Sequence, residues 1–302
     1  IFHITIRTFE VIVVNDVEKV SRGNLMGKPD YLCIGMQKGG TTWLYDVLKQ
    51  HPEIVNLPSK ELVFFNNFAI PEHSEWPLYH RRRQAYEALR LELQNTKSLE
   101  RNEDFFSRLQ WYSLFSQTEV NIGWYEKLFD FAPPNKIVGD YSPDYIMLPI
   151  ESIQQIKRMY PDIKAIFSIR NPIDRAWSHL KMIAKNENIE LTNIERLLTI
   201  SNRTDVIRRG QFIEDFQNWK SVFGNDFLFY KFEAIDVEPL TIIKKVCTLL
   251  NIGFEEQKFE RYSEKVFSGH AAKIPEKIKF HLEEKYGKEQ EYFESLPIYS
   301  PH

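Results

Sequence analysis

The sequence predicts an α/β protein with a doubly wound, mostly parallel sheet flanked by helices. Short apolar runs typical of buried strands alternate along the chain with helical patterns. The clearest of these runs are Tyr31–Ile34, Lys164–Ile169 and Phe227–Tyr230. A glycine-containing loop follows the first run and leads directly into a helical pattern. Because strands that alternate with helices are joined by crossover connections, we expect the strands to run parallel.

Composition limits the class of protein and its partners. The 302 residues suffice for one large α/β domain or two small ones. A net charge of -3 creates no general attraction for nucleic acid or for an acidic membrane. No apolar run reaches the roughly 18 residues of a transmembrane helix. Cys33 and Cys247 suggest no disulfide framework and favour a reducing, cytoplasmic location. We therefore expect neither nucleic acid nor a membrane as a partner.

The beginning of the chain differs from the rest. Apolar residues between Ile4 and Val14 are compatible with an edge hairpin or a docking segment. Glycines and Pro29 then punctuate the entry to the core. We interpret residues 1–28 as a leader or linker and residues 29–302 as one domain. Because the chain begins at Ile1 rather than at a methionine, we also expect a fragment of something longer.

The strand Tyr31–Ile34 is followed by a tight glycine loop and by a helix that opens at Thr41. Strand, loop and helix form a cradle for a phosphate group, because glycines let the backbone approach an anion and the helix N-terminus supplies N–H groups. Lys38 adds a full charge. The residues predicted to bind the phosphate end of a nucleotide are Lys38, Gly39, Gly40, Thr41, Thr42 and Trp43. The alternative is a tight turn with a solvated lysine.

The loop spacing differs from that of nucleotide triphosphatases. A Walker A loop reads G-x-x-x-x-G-K-[ST]. Gly35 and Gly40 have that separation, but Thr41 occupies the place of the lysine, and the lysine lies inside the loop at Lys38. A kinase would therefore need another lysine and a magnesium site.

Several strands and helices are predicted between the glycine loop and the middle of the chain. His51–Val55 predicts a turn and a short strand, and Lys136–Pro143 predicts a strand that ends in a turn. Pro149–Tyr160 predicts a helix that starts with proline. Residues 70–120 are polar and helical in pattern, which indicates either a solvated, salt-bridged helix pair or a lid over a ligand.

Glu61 directly precedes the apolar run Leu62–Phe65. We therefore expect its carboxylate at a strand end or at the rim of a cleft, where it is suited to accept a proton. The alternative is a solvated glutamate in a loop.

A second diagnostic segment begins where the strand Lys164–Ile169 ends in Arg170. The turn at Asn171 and Pro172 starts a helix, so Arg170 projects from the carboxyl end of a strand, where open α/β sheets bind ligands. Ser178 lies about two helical turns further on. Arginine suits a phosphate because its planar fork can meet two oxygens. The alternative is a strand-end arginine paired with Asp174.

The last third of the chain predicts three helices and one loop of interest. Arg208–Phe212 opens a helix with Phe216 and Trp219 on its apolar face, and further helices follow at Pro239–Leu250 and Glu276–Tyr286. The loop before the last helix contains two candidate basic residues, His270 and Lys273. The remaining histidines that we interpret as structural or surface residues are His3, His51, His73, His80 and His281.

The Lys38 loop with its Thr-Thr-Trp-Leu continuation resembles the 5′-phosphosulfate loop of sulfotransferases that use 3′-phosphoadenosine-5′-phosphosulfate (PAPS). The segment from Arg170 to Ser178 resembles the motif with which these enzymes bind the 3′-phosphate of PAPS. The resemblance covers roughly residues 30–295 and implies that residues 29–302 are a sulfotransferase domain. It implies transfer of a sulfuryl group to an acceptor hydroxyl or amine without a metal, leaving 3′-phosphoadenosine-5′-phosphate (PAP).

The resemblance also implies roles for single residues. Lys38 would stabilise charge on the leaving phosphate. Glu61 is the first choice of base, because a carboxylate followed by an aromatic patch resembles the base region of heparan-type sulfotransferases, and His270 is the second. Lys273, and less directly His270, would belong to the basic loop that closes over the nucleotide.

The acceptor and two competing functions stay open. Heparan-type enzymes have a lysine where Tyr141 stands, so Tyr141 favours a bacterial-type enzyme. Some such relatives are domains of polyketide synthases that sulfate a β-hydroxyacyl chain presented by an acyl carrier protein. The competing functions are a P-loop kinase-like phosphotransferase and a nucleotide-binding module without catalysis.

Overall fold

The computed structural model describes residues 27–70, 76–95, 102–260, 262 and 272–300. Most of the predicted leader, and His270, lie outside these residues. The chain divides into two compact units. The first contains Glu53–Ser142 together with the described residues up to Tyr31, and the second contains Leu32–Pro52 together with the described residues from Pro143 onward.

The strands form one parallel sheet in the order β2-β3-β1-β4-β5, which confirms the predicted α/β fold. The strands are β1 (Tyr31–Gly35), β2 (Ile54–Val55), β3 (Ile137–Tyr141), β4 (Lys164–Ile169) and β5 (Phe227–Lys231). The two predicted phosphate motifs directly follow β1 and β4, which are neighbours in this order. Ligands of open α/β sheets bind at such adjacent carboxyl ends.

The helices fill the connections between the strands. They are α1 (Thr41–Leu48), α2 (Asn66–Ala69), α3 (Trp76–Asn95), α4 (Glu103–Phe115), α5 (Ile122–Phe129), α6 (Ile150–Met159), α7 (Pro172–Asn186), α8 (Ile194–Ser201), α9 (Thr204–Arg208), α10 (Ile213–Phe223), α11 (Ala234–Val237), α12 (Pro239–Leu249) and α13 (Glu276–Ser295). Within the described ranges, none of the helices combines the length and apolar character needed to cross a bilayer.

In the first unit, helices α3 and α4 are joined by a bidentate ion pair. Arg108 donates to Glu92 over 2.7 and 3.1 Å. This agrees with the salt-bridged pair predicted for residues 70–120. Arg81 departs from that prediction, because its side chain is buried and its guanidinium lies 5.0 Å from the ring centre of Trp124. Helix α3, whose charge pattern suggests full exposure to solvent, thus has one buried side.

In the second unit, β4 pairs with β5 in parallel, from Ala165 opposite Phe227 onward. Phe216 and Trp219 of α10 are fully buried, as predicted for its apolar face. The last helix is longer than predicted and continues past Tyr286, where the backbone leaves helical geometry (φ -119°, ψ 21°). The Tyr286 ring is buried against the backbone of Gly210, where a Cβ would lie 2.2 Å from the ring.

Candidate functional site

The loop between β1 and α1 has the backbone of an anion cradle. Gly35, Lys38 and Gly40 have positive φ angles of 145°, 68° and 91°. Gly40 is the N-cap of α1, and no side chain caps that helix end. The first N–H groups of α1 are therefore not covered by a capping side chain, which is the arrangement that binds phosphate oxygens.

The loop is held in place by the neighbouring strand β4. The Met36 amide donates to the Ser168 carbonyl over 2.7 Å, and Ser168 Oγ donates to the Gly39 carbonyl. A Cβ on Gly39 would lie 2.8 Å from the carbonyl oxygens of both Met36 and Ser168, so only glycine fits at this position. The close fit fixes the loop against the strand that leads to Arg170.

Arg170 lies beside the loop, as the sequence predicts. Its Nη1 donates to the Lys38 carbonyl over 3.0 Å, and its guanidinium stacks 4.4 Å from the ring centre of Phe232. The Nε atom is buried without a hydrogen-bond partner among the described residues. Burial lowers the pKa of Arg170, while the carboxylates of Asp174 and Glu233 oppose that shift. The structure therefore brings together a loop lysine and a partly desolvated arginine.

Helix α7 starts at the turn after Arg170 and places Ser178 on the side of the arginine. Asn171 caps the helix by accepting from the amides of Ile173 and Asp174, and Pro172 opens it. Asp174 and Lys181 both interact electrostatically with Arg170. Ser178 lies four residues after Asp174 and three before Lys181, so it shares their helix face. Its side chain is half-buried.

Cationic residues, among them Lys38 of the loop, lie near His179 of α7. Arg175 is fully buried, and its pKa is lowered to about 10, mainly by that burial. Burial, with Arg175, Arg209 and Lys38 nearby, lowers the pKa of His179 to about 2. Arg209 is paired with Asp144 over 2.8 Å. The imidazole is consequently neutral, and the surrounding field favours an anion at the loop.

The remaining residues predicted to contact the nucleotide lie at the start of α1 and in the segment before α13. Thr41 is buried and Thr42 half-buried on α1, and Trp43 Nε1 donates to the Tyr262 carbonyl over 2.8 Å. Lys273 is exposed. The neighbouring Ala272 carbonyl accepts from Trp177 Nε1 over 2.9 Å, so the segment that carries Lys273 lies against α7 at Trp177.

Glu61 belongs to the first unit and has an unusual backbone. It and Val63 have φ angles of 60° and 52°, a left-handed conformation that is costly for residues other than glycine, most of all for a β-branched one. The Glu61 amide donates to the carbonyl of Tyr141, the last residue of β3, over 2.8 Å. The Val63 amide donates to Ser142 Oγ over 3.0 Å. Strained backbone of this kind accumulates at functional sites.

A buried carboxylate supports this loop. Asp140 of β3 accepts from Ser142 Oγ over 2.6 Å and from the Tyr125 hydroxyl over 3.0 Å. Ser142 in turn accepts from the Val63 amide, so the network passes from the sheet to the loop of Glu61. Because each member is hydrogen-bonded in the interior, the network is expected to be rigid.

Sequence reasoning missed one neighbour of Glu61. His80 of α3, which the sequence suggested was a structural or surface residue, places Nε2 2.9 Å from Glu61 Oε2. The two residues are far apart in the sequence, and no motif joins them. Their contact depends on the tertiary position of α3.

Tyr141 is part of the interior of the first unit. It is buried, and its hydroxyl lies 2.5 Å from that of Tyr31. The two rings are packed edge to face with centres 5.6 Å apart. The position that the sequence comparison with heparan-type enzymes singled out therefore holds a core residue and no cation.

In the part of the chain that is described, no group of three or more histidines, cysteines, aspartates or glutamates is placed to hold a metal ion. The independence of the reaction from metal stays a prediction.

Comparison with known proteins identifies relatives of the chain. A model described as "Sulfotransferase family" matches residues 29–256. A curated relative, heparan sulfate glucosamine 3-O-sulfotransferase 5 of Mus musculus, is 22% identical over 234 residues, which are 74% of this chain and 54% of the relative. The chain thus spans about half the length of the curated relatives it matches.

Solved structures agree on the fold. A sulfotransferase from Alicyclobacillus acidocaldarius superimposes with a TM-score of 0.57 at 20% identity, covering 88% of this chain and 96% of that one. The sulfotransferase domain from the Synechococcus PCC 7002 olefin synthase gives 0.51 at 15% identity, covering 91% and 98%. At these identities the likeness concerns the fold alone. The family model, however, matches well over half of the chain, and the protein therefore belongs to the sulfotransferase family, whose members depend on PAPS.

Proposed function

We propose that this protein transfers a sulfuryl group from PAPS to an acceptor hydroxyl or amine. The observation that carries the proposal is the junction of the two phosphate motifs. Arg170 Nη1 donates to the Lys38 carbonyl over 3.0 Å, so the candidate 3′-phosphate arginine lies directly against the candidate phosphosulfate loop.

The residues present fit a donor that is anionic at two ends. The phosphosulfate end would lie on the loop and on the uncapped start of α1, with Lys38, Gly39, Gly40, Thr41, Thr42 and Trp43. The buried Nε of Arg170 has no protein partner among the described residues, and a phosphate oxygen would satisfy it. Ser178 and Lys273 would complete the 3′-phosphate site. The neutral adenosine between the two ends needs no charge.

Different residues would assist the two ends of the reaction, the leaving phosphate and the attacking acceptor. The acceptor oxygen forms a bond to sulfur while the bond from sulfur to the 5′-phosphate oxygen breaks, and the electron pair stays with the phosphate. Lys38 and the loop amides stabilise the charge that builds on that phosphate. Glu61 takes the acceptor proton, which leaves the acceptor as a sulfate ester. His270 is the second candidate for the base.

For the acceptor we favour the hydroxyl of a neutral chain, such as a β-hydroxyacyl group on an acyl carrier protein, over a strongly anionic glycan. Tyr141 supplies no cation at the position where heparan-type enzymes have a lysine, and its side chain is committed to the core. The olefin synthase domain shares the fold. Cys33 and Cys247 are both buried and form no disulfide, which supports the proposed cytoplasmic location.

The test supplies ³⁵S-labelled PAPS or γ-³²P-labelled ATP with magnesium, each with two acceptors: a 3-hydroxyacyl pantetheine thioester and heparan sulfate. We expect ³⁵S on the thioester and no ³²P on either acceptor. Phosphate transfer would establish the kinase alternative. Tight PAP binding without transfer to either acceptor, and without release of sulfate from PAPS, would establish the non-catalytic alternative.

Two variants locate the chemistry within this assay. Lys38→Ala is expected to lower kcat more than it weakens PAP binding, because its charge acts where the bond breaks. Glu61→Gln keeps the shape of the side chain but removes proton acceptance, so transfer should fall by on the order of a hundredfold or more with unchanged PAP affinity. If Glu61→Gln stays active while His270→Ala is inactive with PAP binding intact, the base is His270.

A further inference from the structure

We infer that His80 is a positioning residue for the base, holding the Glu61 carboxylate in the orientation that proton transfer requires. The inference deepens the proposed function and rests on the role given there to Glu61. It starts from the contact between His80 Nε2 and Glu61 Oε2, whose atoms are 2.9 Å apart. A ring N–H donated to one oxygen of a carboxylate fixes the direction of that carboxylate.

Exposure differs between the two partners. The His80 side chain is 13% exposed, whereas that of Glu61 is 34% exposed. The imidazole therefore covers one side of the carboxylate, and the other side can be reached by an acceptor. An ion pair between two fully exposed side chains would contribute little, but here one partner is largely shielded from water.

The imidazole ring is itself held on two sides. It stacks on the indole of Trp76 with ring centres 4.6 Å apart and planes 18° apart. The side-chain amide of Gln84 lies 2.6 Å from the same Nε2. Because the Glu61 carboxylate can only accept, Nε2 carries the proton, and the end of the Gln84 amide that faces it acts as the acceptor, which is the oxygen. Because Trp76, His80 and Gln84 follow at intervals of four residues on α3, they share one helix face. The direction of Nε2 toward Glu61 is therefore fixed by the helix and not by the loop.

The contact between His80 and Glu61 is one of two hydrogen-bonded links between α3 and the loop that carries Glu61. The other end of the Gln84 amide hydrogen-bonds to Ser59 Oγ, and Ser59 precedes Glu61 by two residues. With the amide oxygen facing His80, the amide nitrogen is the donor to Ser59. The loop is thus tied to α3 at both Ser59 and Glu61. The backbone of Glu61 is held separately by the Tyr141 carbonyl at the end of β3. A strained loop residue held from two elements is pre-organised, as a proton acceptor in transfer needs to be.

The experiment compares two substitutions of His80 that differ in one property. His80→Phe keeps an aromatic ring on Trp76 but removes the N–H donor. His80→Gln loses the ring but keeps an N–H donor of similar reach. Glu87→Gln on the same helix is the control, because it removes an ion pair between two side chains that are both more than half exposed.

We expect kcat of His80→Phe to fall roughly ten- to a hundredfold, the usual effect of one hydrogen bond to a charged group. His80→Gln should recover a large part of this loss, and PAP affinity by calorimetry should be unchanged in both variants. Glu87→Gln should behave as the parent protein. The readout is ³⁵S transfer to the better of the two acceptors above or, where neither turns over, release of sulfate from PAPS to water.

The outcomes separate the two proposals. If Glu61→Gln is inactive while His80→Phe is fully active, the role of His80 is wrong and the base assignment stands. If both variants are active, the base assignment is wrong and the role of His80 falls with it. If His80→Phe and His80→Gln lose the same activity with PAP affinity intact, the N–H donor is not what matters, and the inference is overturned.

A spectroscopic measurement tests the contact without turnover and guards against misfolding of either variant. In ¹⁵N-labelled protein the His80 ring should carry its proton on Nε2, and Glu61→Gln should shift the Nε2 resonance while leaving that of His281 in place. An unchanged His80 spectrum in Glu61→Gln would show that the carboxylate does not hold the ring proton.

Discussion

Two of the guanidinium nitrogens of Arg170, Nη1 and Nε, have different environments in the candidate site. Nη1 braces the loop through the Lys38 carbonyl, whereas Nε is buried without a partner among the described residues. A buried donor left unsatisfied costs about 1–3 kcal/mol. A bound phosphate that accepts from it removes this cost, so the arginine is suited to bind a ligand rather than only to stabilise the fold.

Arg170 should therefore set the preference for a 3′-phosphate. The parent protein is expected to bind PAP roughly ten- to a hundredfold more tightly than AMP, which lacks that phosphate. In Arg170→Gln the two affinities should become nearly equal, even if loss of the loop brace weakens both. The ratio measured by calorimetry is the readout, and Arg203→Gln, which removes only the pair with the Glu187 carboxylate, is the control. Equal affinities in the parent protein would contradict the assignment of this motif.

His179 is the second residue whose environment has a measurable consequence. Its Nδ1 is buried and has no partner among the described atoms, and its pKa of about 2 lies far below the ordinary 6.5. Between these two values the unfolded chain binds a proton that the folded protein does not. Acidification through this range therefore favours unfolding.

Lowering the pH from 7 to 5 should cost the parent protein ~2 kcal/mol of stability through His179 alone. His179→Gln lacks this titration, so its free energy of unfolding should fall less over the same interval. Urea denaturation at pH 7, 6 and 5 measures both curves, and their difference cancels the contribution of the carboxylates. Parallel curves would mean that His179 binds its proton with the same pKa in the folded and the unfolded protein.

The loop between β1 and α1 works as an element because its glycines are placed where side chains do not fit. Gly40 has a φ of 91°, and a Cβ built on it would lie 2.8 Å from the Phe232 ring and from the Ile235 side chain. Phe232 also stacks on the guanidinium of Arg170. A side chain at Gly40 would thus disturb both the start of α1 and the arginine.

Gly40→Ala should therefore reduce stability and PAP binding together. The left-handed backbone alone costs about 1–2 kcal/mol for alanine, and the contact with Phe232 adds to this. Gly253→Ala is the matched control, because a Cβ there meets nothing within 4 Å. Thermal unfolding and PAP titration of both variants provide the measurement. A Gly40→Ala protein that binds PAP normally would show that the loop does not cradle the nucleotide.

Local patterns were enough to predict the elements of the candidate donor site. The glycine loop, the start of α1, the strand β4 and the helix after Arg170 all depend on residues close together in sequence, so propensity and spacing revealed them. The end of α13 was missed because its kink depends on the burial of Tyr286 against Gly210, which lies far away in the chain.

Long-range contacts explain the rest of what sequence reasoning missed. The pairs His80–Glu61 and Arg209–Asp144 join distant segments, and neither histidine nor arginine lies in a recognisable motif. The charge pattern of α3 likewise hid the buried position of Arg81. Such contacts depend on how helices pack, which the order of residue types along one helix does not determine.

Across the whole molecule, the candidate residues divide between the two compact units. Lys38, Arg170, Ser178 and Lys273 belong to the second unit, and Glu61 with His80 belongs to the first. Each group has its own supports: β4 braces the Lys38 loop, and β3 with α3 holds Glu61. Donor binding and proton acceptance are therefore expected to respond separately to ligands.

Hydrogen exchange with and without PAP should show this division directly. PAP is expected to slow exchange in residues 36–44 and 168–178, because the nucleotide would hold the loop, the start of α1 and the turn into α7 in one conformation. Exchange in residues 59–66 should change little, since no donor contact is proposed for Glu61 or its neighbours. Arg170→Gln at the same PAP concentration is the control and should lose most of the protection. Protection of residues 59–66 equal to that of the loop would contradict the division, and it would mean that the segment of Glu61 takes part in binding the donor.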